Sequence, residues 1–336
     1  MNNRCQTYIQ VDLTCVSIGY ARSLSQMTHH QNNYRFVINW LLVGCLATFS
    51  FGSYGLFSKL STFQNPILSN LIIYGTAASC GIILVGVTKS GAAFCKESFL
   101  SGIASNIGAL IMLYLLVSNQ VLVVFSFVSS ASVVFFLIVL GLEKPELSRR
   151  QKSFASAGIL ISVLGLFIAS TSTVGGIEFV LKNLAFNPYF FAIASLMPLG
   201  FGFWSYFSFV AIKKKCTKVL TAFFNYSCAS LLVAVTSYLF FARSFSLPMF
   251  FETRDIFPII AGLFVAVGVI LSLQSFKMTS GKSRIEETVV AILANAEIIP
   301  LIFLSYFILG EFTTEGFLGA FTVFVGLSIL NSARAN

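Results

Sequence analysis

Ten apolar runs of about 20 residues each, separated by short polar linkers, leave this chain one solvent to fold in. They cover approximately 37–58, 66–88, 98–118, 120–142, 153–172, 188–212, 218–241, 256–276, 288–309 and 314–333. A run of that length forms a helix matched to the hydrocarbon thickness of a bilayer. Only 10% of the residues are charged and 57% are hydrophobic. A soluble domain carries about 25% charge, so this chain could not cover a water-facing surface. The expected fold class is therefore an all-α membrane protein with ten transmembrane helices. The longest internal linker, about 173–187, is too short to bury a core of its own.

The basic residues give the orientation. Seventeen of the 21 Lys and Arg fall in alternate segments that share a side with the N-terminus. The other four, Lys59, Lys182, Arg243 and Arg254, fall on the opposite side. Cytoplasmic loops carry such an excess, so both termini are expected in the cytoplasm of a multi-pass protein, in the plasma (inner) membrane rather than an internal one. The net charge of +9 follows from this loop pattern and does not imply nucleic-acid binding. Residues 1–35 are polar, hold one acid, Asp12, and are expected to form a disordered cytoplasmic tail.

Ten helices divide into 36–175 and 176–336, five in each half. An odd number per half makes the second half enter from the opposite side, the inverted-repeat design of secondary transporters. Span four ends Leu140-Gly141-Leu142-Glu143 and span nine ends Leu309-Gly310-Glu311. Span five holds Gly158 and Gly165, and span ten holds Gly319 and Gly326. Each pair is spaced to share one helix face. The simplest role for these glycines is close helix approach. Spans one and six share a texture, Phe51-Gly52-Ser53-Tyr54 beside Phe201-Gly202-Phe203-Trp204.

One charge stands out. Glu297 lies in the middle of the run from Val289 to Leu309, near the bilayer midplane. A carboxylate there costs roughly 2.5 kcal/mol or more, so it is expected to face protein or a water-filled cavity. Two roles stay open. It titrates with transport, coupling proton flow or neutralising a cationic substrate, or it is a protonated strut beside Pro300. Lys59, near the outer end of span one, is explained by snorkelling.

With these residues in view, the stretch 36–333 resembles the drug/metabolite transporter superfamily, in its ten-helix EamA-like branch. The resemblance is carried by Glu297-Ile298-Ile299-Pro300, Leu309-Gly310-Glu311, Gly319 and Gly326. Members often show a Glu-Pro step in span nine and a Leu-Gly-Glu fourteen residues after that Glu, the spacing from Glu297 to Glu311. Here Ile298 replaces the proline, and in the first half Ser129 stands where a matching acid would be. The resemblance implies a carrier whose site lies between two halves and works by alternating access.

Enzyme chemistry lacks its parts. The only histidines, His29 and His30, are adjacent in the tail, and there is no phosphate-binding Gly-x4-Gly-Lys-Ser loop. No cofactor or metal is expected. The seven cysteines lack metal-ligand spacing and suit small buried hydrophobes, with acylation of Cys216 beside Lys213–Lys215 an alternative. Polar residues inside spans point to a substrate cavity. The candidates for substrate binding or coupling are Glu297, Asn295, Asn106, Tyr114, Trp204, Tyr54, Gln274 and Ser129. For Asn225 and Tyr226 an interhelical hydrogen bond is the preferred reading.

The expected function is a secondary active carrier of a small organic metabolite, such as an amino acid or drug-like solute. It would work as a monomer or homodimer in the lipid bilayer, with protons as candidate coupling ion. The alternatives are a nucleotide-sugar or sugar-phosphate carrier, and a non-transporting membrane scaffold. The scarcity of basic residues at midplane depth counts against the former.

Overall fold

A computed structural model describes residues 24–60, 66–117, 131–139, 142, 148–171, 188–215, 217–241, 256–279, 284–296, 298–309 and 314–332. The described residues are almost wholly helical. In chain order the helices are α1 (Leu24–Leu60), α2 (Pro66–Thr88), α3 (Lys96–Val117), α4 (Ala131–Ile138), α5 (Arg149–Thr171), α6 (Pro188–Phe209), α7 (Val219–Phe241), α8 (Ile256–Met278), α9 (Arg284–Ala294), α10 (Ile298–Leu309) and α11 (Thr314–Ser332). A π-helical turn, Val210–Lys214, extends α6.

Seven helices are long and apolar enough to cross a membrane: α1, α2, α3, α5, α6 with its π turn, α7 and α8. The chain is built as a multi-pass membrane protein. Its outer surface agrees: Leu42, Ile83, Leu239, Phe240, Phe307 and Phe324 are all exposed, as lipid-facing side chains should be.

Helix bounds follow the expected spans closely where both can be compared, with two differences. Helix α1 begins at Leu24, inside the stretch expected as tail. At 37 residues it is about 55 Å long, well beyond a hydrocarbon core of about 30 Å. Its apolar part is Trp40–Ser58, so its first turns carry polar sequence outside that part. A helix satisfies its own backbone, so polar residues in water can extend it.

The second difference is a correction. Span nine was expected as one helix from 288 to 309. It is two helices, α9 and α10, and it starts earlier, at Arg284. Asn295 ends α9 by local bonds: its N–H donates to Ala291 O, and so does its Nδ2, at 2.7 Å. Pro300 falls in the first turn of α10, where its missing N–H leaves no helical bond unmade. The earlier start carries Glu286 and Glu287 into the protein, where both are buried. An acidic pair at the edge of an apolar run reads as loop, and only packing shows otherwise.

Glycines set how closely the helices pack. Helices α5 and α11 cross with Gly158 against Gly326 and Gly165 against Gly319. A Cβ on Gly165 would stand 2.5 Å from Val323 N, and one on Gly319 would stand 2.3 Å from Ala169 N. The matched spacing of the two pairs thus has the close-approach role expected for it. Elsewhere, Gly102 of α3 lies against Tyr226 O and Ala229 Cβ of α7, and Gly262 of α8 against Ile73 O and Thr76 Cβ of α2. Gly108 of α3 sits under the Phe201 ring, and Gly268 of α8 sits under the Phe51 ring. Helix α1 packs on α8, α9 and α10, and α6 packs on α3 and α4. Helices α2 and α7 also pack on one another.

Candidate functional site

Helices α1, α2, α3, α6, α7, α8 and α9 line a small, partly open cavity. Phe51 and Tyr54 enter from α1, Tyr74 from α2, and Ser105 and Ala109 from α3. Phe201 and Trp204 enter from α6, Tyr226 from α7, Val265 from α8, and Ala294 and Asn295 from the end of α9. Six of these eleven side chains are aromatic. Among the described residues, no Lys, Arg, His, Asp or Glu lines the space.

The aromatic walls are held firmly. The Phe51 ring packs against Gly268 on one side and meets the Trp204 ring edge-to-face, 5.6 Å between centroids at 90°. Such a pair contributes about 0.5–1.5 kcal/mol beyond its buried area. The backbone of Trp204 is tied to α3, because Ser101 Oγ donates to Trp204 O at 3.3 Å and shares a 2.7 Å bond with Ser208. On the far wall, Ser105 Oγ and the Tyr226 hydroxyl are 2.9 Å apart, and Tyr74 of α2 stands on the same wall. Three helices, α2, α3 and α7, thus converge on one wall.

Two polar atoms of the lining residues have bonding capacity that the described residues do not take up. Trp204 Nε1 is buried and has no hydrogen-bond partner among the described residues. Leaving a buried donor unmade costs about 1–3 kcal/mol, a penalty that a bound acceptor would remove. The Asn295 Nδ2 donates to Ala291 O, which leaves its Oδ1 as an acceptor on the cavity wall. Helix α1 holds this end of α9 in place, with Thr48 Oγ1 donating to Leu293 O at 2.7 Å.

The candidates from sequence divide. Tyr54, Trp204 and Asn295 meet at the cavity. Asn106 does not line it; it is buried and accepts from Asn70 Nδ2 at 3.2 Å, joining α3 to α2. Tyr114 stands exposed on α3, and Gln274 is half-buried on α8 away from the cavity. Glu297 and Ser129 lie outside the described residues, as do Glu143, Glu311 and Cys216.

Sequence reasoning missed Tyr74, Ser105 and Tyr226 as site residues. Tyr226 does make the interhelical bond expected of it, but the partner, Ser105, is itself on the cavity wall. Asn225 keeps its structural role: it accepts from Cys95 N at 3.3 Å and donates to Ala93 O at 2.9 Å, fastening the segment before α3 to α7. A signal was present in the interior tyrosines of two spans, but single residues in separate spans do not reveal that they converge.

Fold and site together define a multi-pass helical membrane protein enclosing an aromatic cavity between its helices. No protein-family model matches the sequence, and no curated protein matches it. Twenty-five solved chains do match by structure. One of them, titled "Crystal structure of protein", superposes with a TM-score of 0.68, covering 88% of this chain and 98% of that one at 13% identity. At that identity the likeness extends to the fold alone.

Proposed function

We propose that this chain is a secondary carrier of a small organic solute, working by alternating access, with the aromatic cavity as its substrate site. The observation that carries the proposal is an exchange relation running through the contacts. Gly102 and Gly108 of α3 have the same spacing as Gly262 and Gly268 of α8, and Phe51 and Tyr54 of α1 the same spacing as Phe201 and Trp204 of α6. Swapping α1 with α6 and α3 with α8 turns the packing of Gly108 on Phe201 into that of Gly268 on Phe51. Swapping α2 with α7 as well turns Gly102 on Tyr226 and Ala229 into Gly262 on Ile73 and Thr76. The crossing of α5 with α11 maps onto itself.

Such a relation is what two inverted five-helix halves would produce, with α9 and α10 together as one broken span. The cavity lies where exchanged residues meet: Phe51 with Phe201, Tyr54 with Trp204, Ser105 with Val265. A site on that axis can be handed from one side of the membrane to the other by rocking one half against its mate. The broken span fits as well, since interrupted helices mark the binding sites of such carriers. The expected drug/metabolite transporter relationship, the cytoplasmic termini and the plasma-membrane location are part of this reading. So is the absence of enzymatic chemistry.

An anionic nucleotide-sugar or sugar-phosphate fits less well, because no basic side chain faces the cavity among the described residues. The test is uptake and counterflow with purified protein in liposomes over a panel of small solutes. Trp204→Ala is expected to abolish accumulation of whichever solute moves. If proton coupling runs through Glu297, Glu297→Gln flattens the pH dependence of uptake. A protein that moves nothing on the panel, yet captures a partner protein, would support the scaffold alternative instead.

A further inference from the structure

We infer that the cavity takes a small organic ammonium ion whose body carries a hydrogen-bond acceptor; this names a substrate class for the carrier site and rests on that reading. Three independent features of the wall point to positive charge. Aromatic side chains surround the space, with Tyr54, Trp204 and Tyr226 on different helices. A cation over an aromatic face gains more when it is desolvated, as it is inside a membrane protein. Helix α9 ends at the cavity, with Ala294 and Asn295 on the wall, so the negative end of its dipole borders the site. The last carbonyls of α9 already accept hydrogen bonds, Ala291 O from Asn295 and Leu293 O from Thr48 and Ala296, so the terminus acts through its dipole rather than by direct ligation. The Oδ1 of Asn295, 4% exposed, adds an acceptor for an ammonium N–H.

The remaining polar atom specifies the rest of the ligand. Trp204 Nε1 is a donor without a partner among the described residues, on a side chain 5% exposed. It calls for an acceptor, such as an ether, hydroxyl or carbonyl oxygen. A carboxylate there would have this one uncharged donor and no Lys, Arg or His against it among the described residues. An anion would give up its hydration for too little in return. A neutral hydroxyl can also donate to Asn295 Oδ1, but it gains neither a cation–π contact nor a charge–dipole attraction to the α9 terminus.

The test uses three probes that share a ring and an acceptor and differ in head-group charge: 3-methoxybenzylamine, 3-methoxybenzyl alcohol and 3-methoxybenzoate. The full-length protein is labelled with 5-fluorotryptophan. Its two tryptophans give two fluorine resonances, and Trp204→Phe assigns the line of residue 204. The ammonium probe is expected to shift that line saturably, at least about tenfold more tightly than the alcohol, the scale of a desolvated cation–π contact. The benzoate is expected to leave it unmoved. Equal or tighter binding of the alcohol, binding of the benzoate, or no saturable shift with any probe would overturn the assignment. Counterflow of the ammonium probe in liposomes separates the two ideas. Binding at Trp204 without translocation would refute the carrier while leaving the ligand class intact, and translocation of neutral solutes only would do the reverse.

Discussion

Replacing Gly319 by alanine should weaken the protein through one contact. A Cβ at that position would stand 2.3 Å from Ala169 N, 2.6 Å from Ala169 Cα and 2.6 Å from Gly165 O. All three atoms are backbone, so no rotamer change can make room. To reach ordinary van der Waals separation, α5 and α11 must move about 1 Å apart. A gap of about 0.5–1 Å already forfeits about a quarter to a half of each dispersion contact along the crossing. In a membrane that packing is most of what joins two helices. Overpacking of this kind costs about 1–3 kcal/mol. Against this, alanine gains about 0.5–1 kcal/mol over glycine in any helix interior. The control removes that gain: Gly75, within α2, has nothing within 4 Å of its added Cβ. Unfolding by rising SDS in mixed micelles, followed by circular dichroism, compares the two. Gly75→Ala should be neutral or slightly stabilising, and Gly319→Ala should fall below it by about 1–3 kcal/mol. Equal stability of the two variants would refute the close crossing of α5 and α11.

Three further outcomes are expected. A double-mutant cycle of Ser105→Ala and Tyr226→Phe should give a coupling of about 0.6 kcal/mol, and less than about 1.7, in the same SDS titration; zero coupling would mean their 2.9 Å bond does not persist. Asn225→Ala removes the bonds to Cys95 N and Ala93 O, so amide exchange in residues 91–95 should accelerate while the helices stay protected. Thr48→Val removes the α1 donor from Leu293 O, which keeps only the Ala296 N–H, costing about 0.5–1.5 kcal/mol and quickening exchange at the end of α9. If exchange there is unchanged, α1 does not hold the break in span nine.

How much could be read beforehand depends on where the information lies. Span bounds were legible because transfer of an apolar run from water to lipid depends on local composition alone. The expected bounds of α2, α7 and α8 differ from the observed ones by a residue or two. The glycine pairs of α5 and α11 were legible because helical periodicity places residues seven apart on one face. The break between α9 and α10 was not: Asn295 and Pro300 both occur inside unbroken membrane helices, and whether the helix parts there depends on neighbours that stabilise the opened ends. Here Thr48 from α1 is such a neighbour. Glu286 and Glu287 were passed over for a related reason, since a charged pair beside an apolar run is indistinguishable from a loop until its burial is seen.

On the cavity wall, Tyr54, Trp204 and Asn295 had been singled out from residue type and depth, whereas Tyr74, Ser105 and Tyr226 acquire their meaning from one another. The sequence by itself determined the solvent, the approximate spans and the small faces on which helices could meet. Each of these is set by residues near one another along the chain. Only the tertiary structure decided which aromatics line a common space, that α9 ends against it, and that the Trp204 donor has no partner among the described residues. Those facts depend on contacts between α1, α2, α3, α6, α7, α8 and α9, and nothing in the periodicity of a single helix records what stands opposite it.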